Sequence, residues 1–120
     1  MPANARQARE AKGRRAETLA AWYLRLKGYQ ILEQRYRSPV GEIDLIVKRG
    51  KTLVFVEVKA RASLQQAIEA ITARQRERIL RAAAYYAARQ PAFARFQQRV
   101  DALCLADGRW PVHMHNICPG

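Results

Sequence analysis

Three residues of this chain have the types and spacing to do chemistry together: Asp44, Glu57 and Lys59. Glu57 and Lys59 interrupt the apolar run Leu53-Val54-Phe55-Val56-Glu57-Val58-Lys59, and residues two apart in a strand share one face. Val54, Val56 and Val58 then take the other face. Asp44 lies in a second apolar run, Gly41-Glu42-Ile43-Asp44-Leu45-Ile46-Val47. The runs are joined by Arg49-Gly50-Lys51-Thr52, where glycine at the first central position suits a two-residue type II′ turn. Pairing Arg49 with Thr52 sets Asp44 directly opposite Glu57, on the same face. A slip of one residue would send it to the other. Two carboxylates facing each other across a hairpin destabilise it unless something neutralises them. A divalent cation does so, Mg²⁺ in particular being held by one or two carboxylates together with phosphate and water. A lysine alongside could help deprotonate an attacking water or steady charge developing on a phosphate. The chemistry implied is metal-assisted phosphodiester hydrolysis. The alternative is an ordinary solvated face on which Lys59 pairs with Glu57 or Asp44.

The chain that must position these groups has 120 residues, the size of one domain. Its 49% of apolar residues can fill a single core, and neither disorder nor a fibre is expected. No apolar run approaches the roughly 18 residues of a membrane span, so no transmembrane helix and no signal segment are expected. Cys104 and Cys118 are too few for a disulfide scaffold, which points to the reducing cytosol. The unusual term is a net charge of +12. Residues 1–40 and 61–100 each carry +6, while residues 41–60, which hold Glu42, Asp44 and Glu57, carry only +1. Two basic blocks therefore flank a nearly neutral centre. Nucleic acid is the natural partner for the flanks, because each phosphate contact releases condensed counterions. An Arg-rich surface that only keeps the protein soluble is the bland alternative, and an anionic membrane is a weaker third choice.

After a loose tail over residues 1–5, the composition from Arg6 to Lys27 predicts a helix with Ala16, Leu19, Ala20, Tyr23 and Leu24 at helical spacing. Gly28 follows as its cap. Strands are expected over Tyr29–Tyr36, Gly41–Lys48 and Thr52–Ala60, then one long helix over Gln65–Arg89 closed by Pro91. Two more strands, near Arg99–Ala106 and Pro111–Cys118, are joined by the turn Asp107-Gly108-Arg109. The order α-β-β-β-α-β-β predicts one α/β domain with a mixed sheet.

The motifs Gly13-x-x-Ala16-Glu17, Gly41-Glu42-Ile43-Asp44-Leu45-Ile46 and Val54-Phe55-Val56-Glu57-Val58-Lys59-x-Arg61 resemble the YraN family of uncharacterised bacterial proteins, from about residue 12 onward. The stretch Thr72-Ala73-Arg74-Gln75 fits as well. That family in turn resembles the PD-(D/E)xK nuclease superfamily, close in layout to archaeal Holliday-junction resolvases. The resemblance implies a restriction-endonuclease-like core with its site on the central hairpin. It implies Asp44 and Glu57 as carboxylates holding Mg²⁺ or Mn²⁺, Lys59 as the catalytic lysine, and Glu17 as a further, helix-borne acid and metal ligand. Helical spacing puts Glu17 beside the buried stripe, although a plain surface charge would look the same. Gln75 is a candidate helper near the site. Ile43 stands where the superfamily's name has proline.

Arg61, Arg74, Gln75 and Arg78 are the candidate nucleic-acid contacts, with Arg74, Arg76, Arg78 and Arg81 forming a basic helical edge that could equally be a solvated face. Trp22, Tyr23, Tyr85 and Tyr86 could stack on bases, but their spacing is that of core or interface residues. His113, His115 and Cys118 supply too few donors on one strand face for structural zinc. Cys104, between Leu103 and Leu105, reads as core. The expected function is a Mg²⁺- or Mn²⁺-dependent DNA endonuclease, for branched or otherwise structured DNA if the resemblance carries that far. With no helix-turn-helix or similar element, contacts are expected to be structure-selective rather than base-specific. Cutting both strands of a junction would call for a symmetric homodimer. The alternatives are a non-catalytic nucleic-acid-binding module that keeps the fold, and a protein-interaction adaptor.

Overall fold

The structure, a computed structural model, describes residues 4–119. Helix α1 runs Ala5–Leu26, and Asn4 caps it by accepting the Gln7 N–H at 2.8 Å. The expected tail over residues 1–5 thus falls partly outside the described residues, and its last two positions are the cap and first turn of α1. The helix stops where expected: Gly28, at φ +90°, lets its N–H reach the Arg25 carbonyl and that of Tyr29 reach the Leu24 carbonyl. Strands β1 (Gln30–Ser38), β2 (Gly41–Arg49) and β3 (Thr52–Arg61) follow as an antiparallel meander. Helices α2 (Leu64–Glu69) and α3 (Ala73–Ala88) and a 3-10 turn at Pro91–Phe93 lead to β4 (Gln97–Ala106) and β5 (Val112–Met114). The sheet order is β1-β2-β3-β4-β5, with β3 and β4 parallel and every other pair antiparallel. This is an α/β fold with a mixed sheet, compatible with a restriction-endonuclease-like core.

The long helix expected over residues 65–89 is two helices. Thr72 caps α3 and Ser63 caps α2, each in a reciprocal box with the glutamine three residues on. Thr72 is extended, which forces the chain out of helix between them. The last strand is also shorter than expected. Asn116 adopts φ +56° and Ile117 donates to the Val100 carbonyl, so the chain turns back across β4.

The sheet is covered on both faces, which is why β3 reads as an almost unbroken apolar run. Ala20, Ala21 and Leu24 of α1 pack on Leu45, Val47, Val54, Val56 and Leu103. On the opposite face Ile79, Ala82, Ala83 and Tyr86 of α3 pack on Ile43, Ile46, Leu53 and Phe55. Ala67 and Ile71 cover Ala102 and Cys104. Tyr86 is core, as its spacing predicts, but Trp22 is 59% exposed with the Arg25 guanidinium over its ring. No helix among the described residues is long and apolar enough to cross a membrane.

Candidate active site

Strands β2 and β3 pair from Arg49↔Thr52 to Leu45↔Val56, the register expected from the Gly50 turn. The ladder stops one pair short of Asp44 and Glu57. In its place the Asp44 Oδ2 accepts the N–H of Val58 at 2.8 Å. The other side of β2 is interrupted at the same point. Gln34 pairs with Leu45 and Tyr36 with Ile43, and Arg35, which would face Asp44, stands at φ +52°. A non-glycine residue in this region is strained and needs its surroundings to hold it there. The interruption turns the strand over: Ile43 joins Ile46 on the α3 face, whereas strict alternation would put it beside Leu45 on the α1 face.

This local twist brings the predicted acids together. Asp44 lies beside both Glu57 and Glu17 of α1, near enough that each of these pairs shifts its members' ionisation. Glu17 is also held by the Arg35 Nε at 3.1 Å, so both strained residue and acid belong to one arrangement. Lys59 is buried and its Nζ lies 3.3 Å from the Glu57 Oε1. Burial, then the Asp44 charge, push Glu57 up to about 7, with Lys59 pulling the other way. Burial and Asp44 likewise raise Glu17 to about 6, against the pull of Arg35. Asp44 itself is raised by burial, although the Val58 N–H, both neighbouring acids and Lys59 favour its charge. Such a group of acids holds protons near neutrality or exchanges them for a cation. Carboxylate oxygens are hard donors, so the residues fit a hard divalent cation. The three acids do not all close to within 4.8 Å of one another. Asp44 and Glu57 are the pair, and Glu17 reaches it through Asp44.

The pair is open on two sides. A cavity of about 590 Å³ over it is lined by Arg9, Lys12, Gly13, Glu17 and Arg61, among others. A second, of about 510 Å³, is lined by Gly41, Glu42, Gln75 and Arg78. Of the expected nucleic-acid contacts, Arg61, Gln75 and Arg78 thus border the acids, while Arg74 lines neither cavity. Gln75 also serves the α3 capping box, its Oε1 accepting the Thr72 N–H at 3.4 Å. Arg9 and Lys12 were not expected here, although Arg9 sits eight residues before Glu17 on the same helix, two turns away on one face.

A second polar cluster surrounds His113 and His115, for which the sequence offers too few donors on one strand face; the further donor is Asp101, from the neighbouring strand β4. Asp101 is fully buried on β4 and accepts from Arg99 Nε at 2.9 Å, His113 Nε2 at 2.7 Å and the Asn116 N–H at 2.9 Å. Lys27 Nζ lies 2.6 Å from His113 Nδ1, and Arg99 donates to the Tyr29 hydroxyl at 2.6 Å. Burial alone would raise Asp101, but His113, Arg99 and Asn116 outweigh it and hold the carboxyl at about 2. Asp101, His113 and His115 form a group that could hold a metal ion, with ligand atoms all within 4.8 Å. Arg99 and Lys27 occupy its free valences and oppose a further cation. The pair Arg99-Val100-Asp101 inside an apolar strand is the same kind of interruption as Glu57 and Lys59, and is the signal that would have found it.

The model of the uncharacterised protein family UPF0102 matches residues 16–105, a span that holds Glu17, Asp44, Glu57 and Lys59. A UPF0102 protein of Chelativorans sp. (strain BNC1) is 48% identical over 120 residues, covering 98% of this chain and 97% of that protein. One from Mesorhizobium japonicum is 48% identical over 119 residues, covering 99% and 95%. A third, from Methylorubrum extorquens (strain PA1), is 50% identical over 115 residues, covering 96% and 90%.

Proposed function

Because the chain belongs to the uncharacterised protein family UPF0102, whose name carries no activity, we infer its function from its own site and propose a metal-dependent nuclease that hydrolyses phosphodiester bonds of DNA. The observation that carries the proposal is buried Lys59 against Glu57, beside an Asp44 that has left both ladders, between two cavities bordered by basic residues.

Asp44 and Glu57 would hold Mg²⁺ or Mn²⁺, with Glu17 supporting them through Asp44. A bound ion of this class polarises a phosphoryl oxygen and makes water a better nucleophile. The chain's own groups do the rest. The Val58 N–H fixes the orientation of Asp44. The Lys59 ammonium donates a hydrogen bond to negative charge growing on the phosphate. Arg61 and Arg78, on opposite sides of the acids, bind flanking phosphates, and Gln75 adds a neutral donor. Contacts of this kind read backbone shape and not base sequence, which suits branched or otherwise structured DNA. On a four-way junction the enzyme would act as a homodimer, one site per strand.

One observation favours a second reading, a non-catalytic nucleic-acid-binding module or adaptor that keeps the nuclease fold. Arg35 already pairs with Glu17, giving that acid a counter-charge from the chain itself. Cleavage of labelled single-stranded, duplex, flapped and four-way-junction DNA in Mg²⁺, Mn²⁺ or EDTA separates the two. Asp44→Asn and Lys59→Ala, each verified as folded by thermal melting, should lose cleavage by roughly a hundredfold or more. Metal-independent binding with no cleavage, unchanged in Asp44→Asn, would select the module.

A further inference from the structure

Gly13 stands in the middle of α1, four residues after Arg9 and four before Glu17, so the three lie along one face. Glycine inside a helix weakens it against alanine, and a structure that keeps one there has a reason. The usual reasons are a backbone twist that only glycine accepts or a neighbour too close for a side chain. Neither applies. Gly13 is not among the positive-φ glycines, and a Cβ built on it meets no atom within 4 Å. Gly41 shows the contrast, since its Cβ would lie 3.2 Å from the Arg78 carbonyl oxygen. The room left at Gly13 opens instead onto the cavity over Asp44 and Glu57.

The walls of that cavity are graded in charge. Its floor is acidic, while Arg9, Lys12 and Arg61 are exposed around it, and none of these three is in an ion pair among the described residues. From Arg9 to Glu17 the helix rises about 12 Å, at 1.5 Å per residue. A lone phosphate would meet only part of such a surface. A slim chain with repeated negative charge would meet it all, provided that no side chain stood at its centre.

We propose that the Arg9–Gly13–Glu17 face of α1 is the seat of the sugar–phosphate backbone of one nucleic-acid strand. Gly13 leaves the room for the backbone, and Arg9, Lys12 and Arg61 supply its counter-charge. This rests on nucleic acid being the partner of the site, and adds the helix against which the strand lies.

The test uses opposite signs. Gly13→Ala and Gly13→Leu replace glycine by better helix formers in open space, so both raise the thermal midpoint. Both also fill the seat. Binding of a fluorescently labelled single-stranded oligonucleotide is followed by anisotropy at low salt in EDTA, so that no strand is cut. Gly13→Ala should weaken binding measurably, and Gly13→Leu by roughly tenfold, the order produced by overfilling a packed contact. Arg9→Ala and Lys12→Ala should each flatten the dependence of affinity on salt by about one unit of slope. Stabilised Gly13 variants that bind as tightly as the wild type would overturn the seat while leaving nucleic acid as the partner. A wild-type protein that binds no oligonucleotide at all would overturn the partner, and the seat with it.

Discussion

Glu57 and Glu17 are carboxyls that the fold makes reluctant to ionise, at about 7 and about 6 against an ordinary 4.5. A group whose folded pKa is raised contributes its stability below the unfolded value and loses it as pH rises through the folded one. The metal-free protein should therefore lose stability between about pH 4.5 and 7. Thermal midpoints in EDTA across that range check this, and Asp44→Asn should flatten the decline by removing the charge beside both acids. An unchanged slope in the variant would mean that burial alone sets it. Excess Mg²⁺ should stabilise the protein more above pH 7 than at pH 5, where protons compete for the same oxygens. Much of this site was legible in the chain, because one glycine in a two-residue turn fixes the register that sets Asp44 against Glu57. Arg35 was not. Its left-handed backbone has no local signature in Gln34-Arg35-Tyr36, and arises because β1 and β2 part at Asp44 and Glu17 waits across the gap.

At the scale of elements, the coupling of the hairpin to α3 depends on close approach. Gly41, at φ +155°, sits where a Cβ would lie 3.2 Å from the Arg78 carbonyl oxygen and 3.6 Å from the Ala82 Cβ. The first contact is with helix backbone and has little freedom to give. Gly41→Ala should cost about 1–3 kcal/mol, as overpacking does, and should move Arg78 and Gln75 relative to Asp44. Urea unfolding measures the first effect; a midpoint within error of the wild type would show that α3 yields at this point. Element types and order were legible from periodicity and turn residues, including the cap at Gly28. The split between α2 and α3 is masked in the sequence because Ile68, Ile71 and Ile79 keep a plausible helical spacing across it. The signals that decide otherwise are Ser63-x-x-Gln66 and Thr72-x-x-Gln75, each of which starts a helix.

Across the whole molecule, Asp101 ties parts of the chain that sequence distance conceals. Through Arg99, Tyr29, His113 and Lys27 it joins the end of α1, the start of β1, β4 and β5. The sequence shows the pieces, the Arg99-Val100-Asp101 interruption and the two histidines, but no local pattern joins partners so far apart. Removing the charge leaves half-buried Arg99 and the His113 ring poorly matched around a fully buried position, so Asp101→Asn should lose about 3 kcal/mol, the low end of the range for a broken buried pair. The acid limb has the opposite sign to the carboxyl site. Asp101 is held at about 2, below its ordinary 3.8, so its contribution is present above about pH 4 and is lost as pH falls towards 2. Acid unfolding followed by circular dichroism should begin at higher pH in Asp101→Asn. Coincident acid midpoints would place the acid limb elsewhere.

The parallel pairing of β3 with β4 has a consequence for the order of synthesis. β2 and β3 are adjacent in sequence and can close their hairpin locally, but the partner for the other edge of β3 begins only at Gln97, after residues 62–96 have emerged. Until then Leu53-Val54-Phe55-Val56 presents a bare, strongly β-forming edge of the kind that pairs with other copies. Glu57 and Lys59 end that run with charge, and charges beside an apolar strand act as gatekeepers against such pairing. Mutating them for loss of activity would also unguard the nascent strand, so soluble yield belongs beside every activity measured at these two positions.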